Sequence, residues 1–370
     1  MKKYFLSIVA LTAMLFATSC QESIVEPQIA GPTTFTVQLP DAMGTKAEIG
    51  SANTVNQLFV SVYAPGCEST PLSSAVVEKT EGDGTFTVSF NLIQDQTYDL
   101  IFWAQTTDAY VEKSTTVDAT YDLRTIDIAD RFYSSENGAA FYAYQTYVID
   151  GQPKEATLRR PFAQLNIGTT VESLKTDADS DIILEGAKIE VKNVASSFNT
   201  VTGYGEGDGN TIYGQPSGFV KVAGEDIQVN NNQKYAKLEV GGKSYVYVTM
   251  DYLPIISSET VPKDLVEIKL LIDTDQPTAI EHTFSSVPVQ RNYRTNIVGN
   301  LISSTTDFNV VVDADFAKDA NGNLLPDNDY FVVDNVADAV TAYANQKNHV
   351  AINYIVDGGN IDIPSTAKET

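Results

Sequence analysis

Apolar and polar residues alternate along most of this chain in short windows, with Val, Ile, Thr, Tyr and Phe recurring at every second position. A period of two is typical of half-buried β-strands, because successive side chains of a strand point to opposite faces of its sheet. Clusters rich in Gly, Asp, Asn and Pro separate the windows and favour turns. The windows that predict strands include residues 35–39, 58–63, 86–90, 98–103, 187–191, 245–248 and 266–270.

Helical periodicity is nearly absent before residue 330, so the sequence offers no helices to cover a parallel sheet. Many short strands with frequent turns therefore predict an all-β protein made of β-sandwiches. A polar, turn-forming stretch at residues 150–154 separates two regions that are dense in strands. We predict an N-terminal β-sandwich over residues 32–155 and a C-terminal β-sandwich over residues 156–318.

The end of the chain has a different pattern, and we treat residues 319–370 as a separate tail. Apolar residues at helical spacing from Val336 predict a short amphipathic helix, while residues 350–356 and 361–363 predict strands. This α+β pattern resembles the opening cap and first turn of a parallel β-helix. The roughly 40 residues from Asp329 onward cannot bury a core of their own. Either the chain is a piece of a longer surface protein, or the tail is a flexible interaction segment.

The N-terminus has the layout of an export signal. Lys2 and Lys3 precede an apolar run of about a dozen residues, which is too short for a membrane-spanning helix. Ala, Thr and Ser stand directly before Cys20. This order predicts a lipoprotein signal peptide over residues 1–19, acylation of Cys20 with palmitate-type chains, and a flexible tether over residues 20–31. The alternative is an ordinary secretory leader that is removed together with Cys20.

The charge of the chain limits its classes of partner, and its cysteine content limits its disulfides. Asp and Glu number 48 against 24 Lys and Arg, which gives a formal net charge of −24, and loss of Lys2 and Lys3 with the leader makes it −26. A field of this sign disfavours nucleic acid and anionic membrane faces as partners. Beside Cys20 the only other cysteine is Cys67, so the sequence predicts no intrachain disulfide in the mature protein.

The sequence offers no catalytic or metal-binding pattern. His282 and His349 have neither a nucleophile motif nor metal-ligand spacing around them and are predicted to face solvent, and the acidic stretch at residues 313–323 fails the spacing of a calcium loop. We therefore predict no enzyme activity, no cofactor and no metal. Tyr142 and Tyr144 would form a sugar-stacking platform if one face of their strand were open, although packing of one ring row into the sandwich is the simpler interpretation.

Two stretches, RRPFAQLNI at residues 159–167 and VPVQRNYRTNIVG at residues 287–299, resemble recurrent blocks of Bacteroidetes fimbrillin-like lipoproteins. The signal ending at Cys20 and the GTKA stretch at residues 44–47 strengthen the resemblance, which spans roughly residues 1–318. These proteins are the major subunits of type V pili and their relatives. The resemblance implies two transthyretin-like β-sandwich domains in series, in agreement with the strand pattern.

The resemblance also implies a mechanism of assembly. In such pilins an acylated precursor reaches the cell surface, and a trypsin-like protease cuts after a basic residue that follows the first strand. Loss of that strand exposes a groove, which a strand from another subunit fills. Mapped onto this chain, Phe35, Val37 and Leu39 are the inward residues of the removable strand, and Lys46 is the cleavage point in place of the more usual Arg. The alternative is a permanent first strand and a solvated loop lysine.

Sequence and resemblance together predict a fimbrial subunit or adhesin at the cell surface, held at the outer membrane by lipid alone or built into a fimbria. Its expected partners are other fimbrial subunits, joined by strand exchange, and a host or bacterial surface receptor or glycan. One alternative is a monomeric carbohydrate-binding lipoprotein of a glycan-uptake system. Another, a β-helix polysaccharide lyase, requires further rungs beyond residue 370 that carry basic and calcium-ligating residues.

Overall fold

The computed structural model describes residues 31–40, 54–79, 84–116, 118–129, 136–176, 180–192, 194–207, 212–214, 226–230, 233–258, 263–302, 307–313, 331–333 and 350–352. These residues contain two short 3-10 turns, Glu136–Gly138 and Glu172–Leu174, and no α-helix, so the predicted all-β fold class is confirmed. In chain order the strands are β1 Thr33–Gln38, β2 Gln57–Tyr63, β3 Ser73–Glu78, β4 Thr85–Phe90, β5 Thr97–Gln105, β6 Thr125–Asp127, β7 Ala140–Val148, β8 Lys154–Thr157, β9 Ala163–Thr169, β10 Leu184–Lys192, β11 Ser197–Asn199, β12 Tyr204–Glu206, β13 Ile212–Gly214, β14 Asp226–Asn230, β15 Gln233–Val240, β16 Lys243–Leu253, β17 Lys263–Thr274, β18 Ile280–Gln290, β19 Arg294–Asn300, β20 Asp307–Asp313, β21 Phe331–Val333 and β22 Val350–Ile352.

The first sandwich packs a three-stranded sheet of order β4-β1-β8 against a four-stranded sheet of order β3-β2-β5-β7. β4 shows how the sequence pattern produces this packing, because its hydroxyl residues are exposed while Phe86, Val88 and Phe90 are buried. Every residue of β2 is buried, so the four-stranded sheet is covered on both faces. The chain between β5 and β6 covers its outer face, where the Ser61 hydroxyl donates to the Tyr121 carbonyl oxygen at 2.6 Å.

The second sandwich packs a four-stranded sheet of order β13-β10-β17-β18 against a six-stranded sheet of order β14-β15-β16-β9-β19-β20. The described pairs in these sheets are antiparallel, except that β9 and β19 run parallel. Apolar side chains from the two sheets form one core cluster between them, as expected for strands whose alternate positions face inward. The cluster includes Ile189, Val191, Ile268, Leu270 and Phe284 from the smaller sheet and Leu165, Ile167, Val246, Val248 and Ile297 from the larger.

The two sequence blocks that carry the family resemblance meet inside the six-stranded sheet. β9 and β19 lie side by side, with Gln164 opposite Arg294. The Arg294 guanidinium donates from Nε to Gln164 Oε1 at 2.8 Å, and the Asn166 amide donates from Nδ2 to Asn296 Oδ1 at 2.8 Å. The blocks are therefore one structural unit, although more than a hundred residues of sequence separate them.

A third, small sheet connects the two sandwiches. β6 leaves the first sandwich and pairs antiparallel with β11, which in turn pairs with β12. Aromatic rings from both sandwiches meet beside this sheet, where Phe198 of β11 lies 6.1 Å from Trp103 of β5 and 4.7 Å from Tyr142 of β7. The sandwiches thus share backbone hydrogen bonds and a set of packed rings, named here the junction cluster: Trp103, Tyr110, Tyr142, Phe162 and Phe198.

The change from the first sandwich to the second falls between β8 and β9. The domain limits at residues 155 and 156 stay a prediction. In the tail the structure describes the parallel pair β21 and β22, with Phe331 opposite Val350. The predicted helix near Val336 and the predicted strand at residues 361–363 lie outside the described residues.

Candidate functional site

The first strand is held on both sides by its neighbours. β1 lies between β4, to which it runs antiparallel, and β8, to which it runs parallel, so that Phe35 stands opposite both Val88 and Lys154. Just beyond β8, the Leu158 N–H donates to the Gln38 carbonyl oxygen at 3.0 Å. β1 is the middle strand of its sheet. Its removal would therefore leave an empty groove between β4 and β8, with unpaired backbone N–H and C=O groups along both sides.

The inward side chains of β1 are deeply buried. Phe35 and Val37 are fully buried, and Leu39 is 3% exposed. The Phe35 ring packs edge-on against Tyr147 at 5.2 Å and against Phe90 at 6.2 Å between ring centroids. Burying such a side chain stabilises a fold by about 1.5–3 kcal/mol, so the three together contribute on the order of 5–9 kcal/mol. Their role as a removable strand stays a prediction.

The groove that holds β1 is apolar with one polar edge. Tyr147 forms this edge, and its hydroxyl donates to the Glu155 carbonyl oxygen at 2.8 Å. Burial raises the pKa of Tyr147 well above its usual value, and the same ring packs edge-on against Phe35. The other residues that stand beside β1 on its inward side are apolar: Phe86, Val88, Phe90, Phe102 and Ala156.

One side chain of β1 fits this groove poorly. Thr33 is 2% exposed, and its Oγ1 atom has no hydrogen-bond partner among the described residues. A buried hydroxyl left in this state costs about 1–3 kcal/mol. A strand with an apolar residue at the same place would therefore fill the groove more favourably than β1 does.

The predicted lipidation and cleavage residues, Cys20 and Lys46, lie outside the described residues. The topology still defines what a cut after Lys46 would separate. Lys46 belongs to the connection between β1 and β2, which lie in opposite sheets of the first sandwich. Cleavage there would leave β1 attached to the rest of the fold by non-covalent contacts alone.

Cys67 is a buried thiol rather than an exposed loop residue. It is 4% exposed, and burial is the main reason why its pKa rises to about 11. The turn that carries it is fixed by the buried Asp99 carboxylate, whose Oδ2 accepts from the Gly66 N–H at 2.6 Å and from the Tyr144 hydroxyl at 3.0 Å. This geometry gives the thiol a packing role and suppresses its reactivity.

We expect native Cys67 to react with a thiol reagent at pH 8 at least about 100-fold more slowly than an exposed cysteine, because both burial and the raised pKa reduce attack. The measurement is the labelling rate in a chain that lacks residues 1–20. The same chain in denaturant is the control and should react fully. A native rate within tenfold of the denatured rate would contradict the buried placement.

Two arginines of the resemblance blocks hold the sandwiches together. Arg160 is 2% exposed, and its guanidinium lies 4.5 Å from the Phe141 ring centroid in β7. Arg291 is 4% exposed and donates from Nη1 to the Tyr142 hydroxyl at 2.5 Å. Asn292, with a positive φ of 64°, turns the chain after β18 and donates its N–H to the Phe162 carbonyl oxygen at 3.0 Å.

The sequence did not predict this role for the two arginines. The available signal was the position of each arginine next to a short aromatic segment, since Phe162 follows Arg160 by two residues and Tyr293 follows Arg291 by two. Sequence alone could not show that both would be directed at the same strand, β7, of the other sandwich. Their burial against rings allows the guanidinium groups to leave water at reduced cost.

Beside the junction lies a cleft of about 250 Å³. Its walls come from β7, from the chain around Arg159, and from the turn that joins β11 to β12. Arg291 lies deep in it, with its guanidinium 5.9 Å from the centroid of the Tyr204 ring. Gly203, with a φ of 77°, brings the turn so close to Tyr142 that a Cβ atom there would stand 2.5 Å from the hydroxyl. The resulting cleft is concave, polar and partly aromatic.

Tyr142 and Tyr144 do not form an open sugar-stacking platform. Tyr142 is 6% exposed and packs against Phe198, while Tyr144 donates its hydroxyl to Asp99, and burial raises its pKa to about 12. The second sandwich and the chain between β5 and β6 cover part of their strand face, and both residues stand in the wall of the cleft described above. Tyr147 lies on the opposite face of β7 and packs into the first sandwich against Phe35.

The histidine prediction needs a correction at one position. His282 is half-buried rather than solvent-facing, and its Nε2 lies 2.6 Å from the Leu301 carbonyl oxygen, to which it donates. His349 lies outside the described residues. Within the described ranges, no group of three or more His, Cys, Asp and Glu side chains is placed to hold a metal ion. The part of the chain that the structure covers has no helix of the length and apolarity that crossing a membrane requires.

The fold and the site together define a protein of two joined β-sandwiches whose first strand is enclosed between two neighbours. The chain belongs to the family of unknown function DUF6562, whose sequence profile matches residues 27–353. No curated protein matches the chain in sequence.

Several solved structures are similar to the chain at low identity. A candidate cell-adhesion protein from Parabacteroides distasonis is 12% identical, with 77% of this chain and 96% of that chain covered and a TM-score of 0.44. A fimbrial assembly protein from the same species is 14% identical, with 76% and 94% covered and a TM-score of 0.38. The tip fimbrial protein Mfa3 from Porphyromonas gingivalis is 11% identical, with 76% and 99% covered and a TM-score of 0.36.

Proposed function

We propose that this protein is a cell-surface lipoprotein that acts as a fimbrial subunit or adhesin and assembles by donor-strand exchange. In this proposal residues 1–19 are removed, and acyl chains on Cys20 hold the protein at the outer membrane. A cut after Lys46 then frees β1 from the rest of the chain. A strand from another subunit enters the groove between β4 and β8. The proposal requires no catalysis by the protein itself.

The enclosed position of β1 supports this proposal. A middle strand with neighbours on both sides leaves a complete groove when it departs, whereas loss of an edge strand would leave only one edge to pair with. The fully buried Phe35 and Val37 mark pockets that a donor strand would refill with alternate side chains. Lys46 lies in the only covalent link from β1 to the β2–β20 part of the fold.

The energetics also favour exchange over simple loss of the strand. A groove without a strand would expose apolar surface and unpaired backbone groups, which makes β1 release costly by itself. An incoming strand restores the same classes of contact, so the net change in free energy is small. The Thr33 hydroxyl is buried without a hydrogen-bond partner among the described residues. A donor strand with an apolar residue at that position would avoid this cost and would bind in the groove more favourably.

Protein recovered from the surface of its own cells is expected to begin at Ala47 and to form ladders on unheated gels that collapse on heating. Intact-mass analysis and N-terminal sequencing measure the first property. A Lys46→Gln variant should keep β1 and stay monomeric. The matched control Lys188→Gln, which removes an exposed lysine of β10, should assemble like the wild type. An acylated start at Cys20 with monomer alone would refute the exchange mechanism.

The cleft beside the junction favours a second candidate function, the binding of carbohydrate as a monomeric surface lipoprotein. Sugar sites are commonly concave and combine aromatic rings with polar groups that bind hydroxyls. Tyr204 and Arg291 supply both features in the cleft. A protein with this function should keep β1 and bind glycan without forming ladders, so the experiment on the native protein separates the two candidates.

A further inference from the structure

We propose that the cleft beside the junction binds an acidic sugar residue, one that carries an anionic group together with hydroxyls. The inference deepens the second candidate function and rests on it. Four properties of the cleft support it: charge, aromatic rings, hydroxyl groups and size.

The described lining of the cleft is basic, whereas the protein as a whole is acidic. Two arginines, Arg159 and Arg291, line it, and none of the described residues that line it is acidic. In a chain with 48 Asp and Glu against 24 Lys and Arg, such a surface is unusual. The surrounding field repels anions, so an anionic ligand gains most from a local concentration of guanidinium groups. Guanidinium groups also bind planar anionic oxygens through paired hydrogen bonds.

The deeper arginine is fixed in place. Arg291 donates to the Tyr142 hydroxyl, and its guanidinium lies 5.8 Å from the Tyr142 ring centroid and 5.9 Å from that of Tyr204. These contacts restrict its rotamers before any ligand arrives, which lowers the entropy cost of binding. Arg159 is half-buried and lines the same cleft. The cleft that the anionic group would enter is thus lined by two guanidinium groups.

The remaining walls suit the rest of a sugar ring. Tyr204 is half-buried and offers part of its ring for stacking, while Thr157 and Thr202 are exposed and offer hydroxyls that donate and accept. The volume of about 250 Å³ lies below the range of about 300–1,000 Å³ that drug-sized ligands occupy. The cleft therefore fits one sugar residue of a chain and leaves the remainder of the glycan in solvent.

The first test varies the ligand and leaves the protein unchanged. Calorimetric or NMR titration of the chain without residues 1–20 compares galacturonate trimer and sialyllactose with their methyl esters. A neutral galactose trimer and inorganic phosphate serve as further probes. We expect the acidic sugars to bind at least tenfold more tightly than their esters, the neutral trimer and phosphate, because only they offer a charge together with hydroxyls.

The second test varies the protein. Arg159→Gln is expected to weaken binding of the preferred acidic sugar about tenfold. The thermal midpoint of this variant is measured to confirm that it folds. Lys188→Gln removes the same charge at an exposed site outside the cleft and should bind like the wild type. Raising the salt concentration should weaken binding of the acidic sugar and not of the neutral one.

The outcomes separate the inference from the function on which it rests. Equal binding of acidic and neutral sugars would overturn the acidic class and leave carbohydrate binding in place. Binding of phosphate as tightly as the sugars would also overturn the inference, since it would reduce the cleft to a site for small anions. Absence of binding for every sugar would overturn both the inference and the second candidate function, and it would leave strand exchange untouched.

Discussion

Alanine in place of Phe35 is expected to lower the free energy of unfolding by about 3–5 kcal/mol in the chain that retains β1. The Phe35 ring is fully buried and contacts rings from both sheets of the first sandwich, including Phe102 and Tyr147. Its removal would leave a cavity that strands on both sides cannot close without giving up their own pairing. Urea unfolding followed by circular dichroism measures the change.

Thr36→Ala is the matched control for this prediction. Thr36 is the next residue of β1, is half-buried, and points to the opposite face of the same sheet. Its replacement should change the free energy of unfolding by less than about 1 kcal/mol. A loss below 1 kcal/mol for Phe35→Ala would contradict the described packing. In cells, the Phe35 variant should also release β1 sooner after cleavage than the wild type, because the released strand gives up less apolar burial.

The second large effect is expected at the junction. Arg160→Ala should lower the free energy of unfolding by about 2–4 kcal/mol, because it removes a desolvated cation from the Phe141 ring together with a buried aliphatic stem. It should also uncouple the sandwiches, so that differential scanning calorimetry shows one transition for the wild type and two for the variant. The reason is that the second sandwich has a core cluster of its own, while contacts such as this one join the first sandwich to it.

Arg159→Ala controls for the loss of a positive charge beside Arg160. Arg159 is half-buried at the cleft, and its backbone pairing with Tyr142 does not depend on its side chain. We expect it to change the free energy of unfolding by less than about 1 kcal/mol and to leave a single transition. Two transitions in the wild type would show that the junction contacts do not couple the sandwiches.

The strands could be predicted from the sequence because burial on one face imposes a period of two. β4 shows this directly, because exposed hydroxyl residues alternate strictly with the buried Phe86, Val88 and Phe90. β2 and β5 were also predicted as strands, but their burial on both faces could not be foreseen. What covers the outer face of their sheet is a set of long-range contacts, such as that of Phe198 with Trp103.

The cleft and the junction could not be predicted for a similar reason. Tyr142, Tyr204 and Arg291 are far apart in the sequence, and only the fold brings them to one place. A sequence pattern reports the local period of burial and says nothing about which elements meet. The resemblance blocks were visible in the sequence, yet the parallel pairing of β9 with β19 that explains them is a property of the sheet.

β1 has one partner that follows soon after it in the chain and another that completes the first sandwich. The antiparallel neighbour β4 is reached early, whereas β8 ends the set of strands in that sandwich. Closing the longer loop costs more conformational entropy and delays pairing. The first strand to emerge is thus expected to be the last one secured, after β2, β3, β5 and β7 have formed their sheet. Every newly exported chain would then pass through a state with an open groove before β1 closes it.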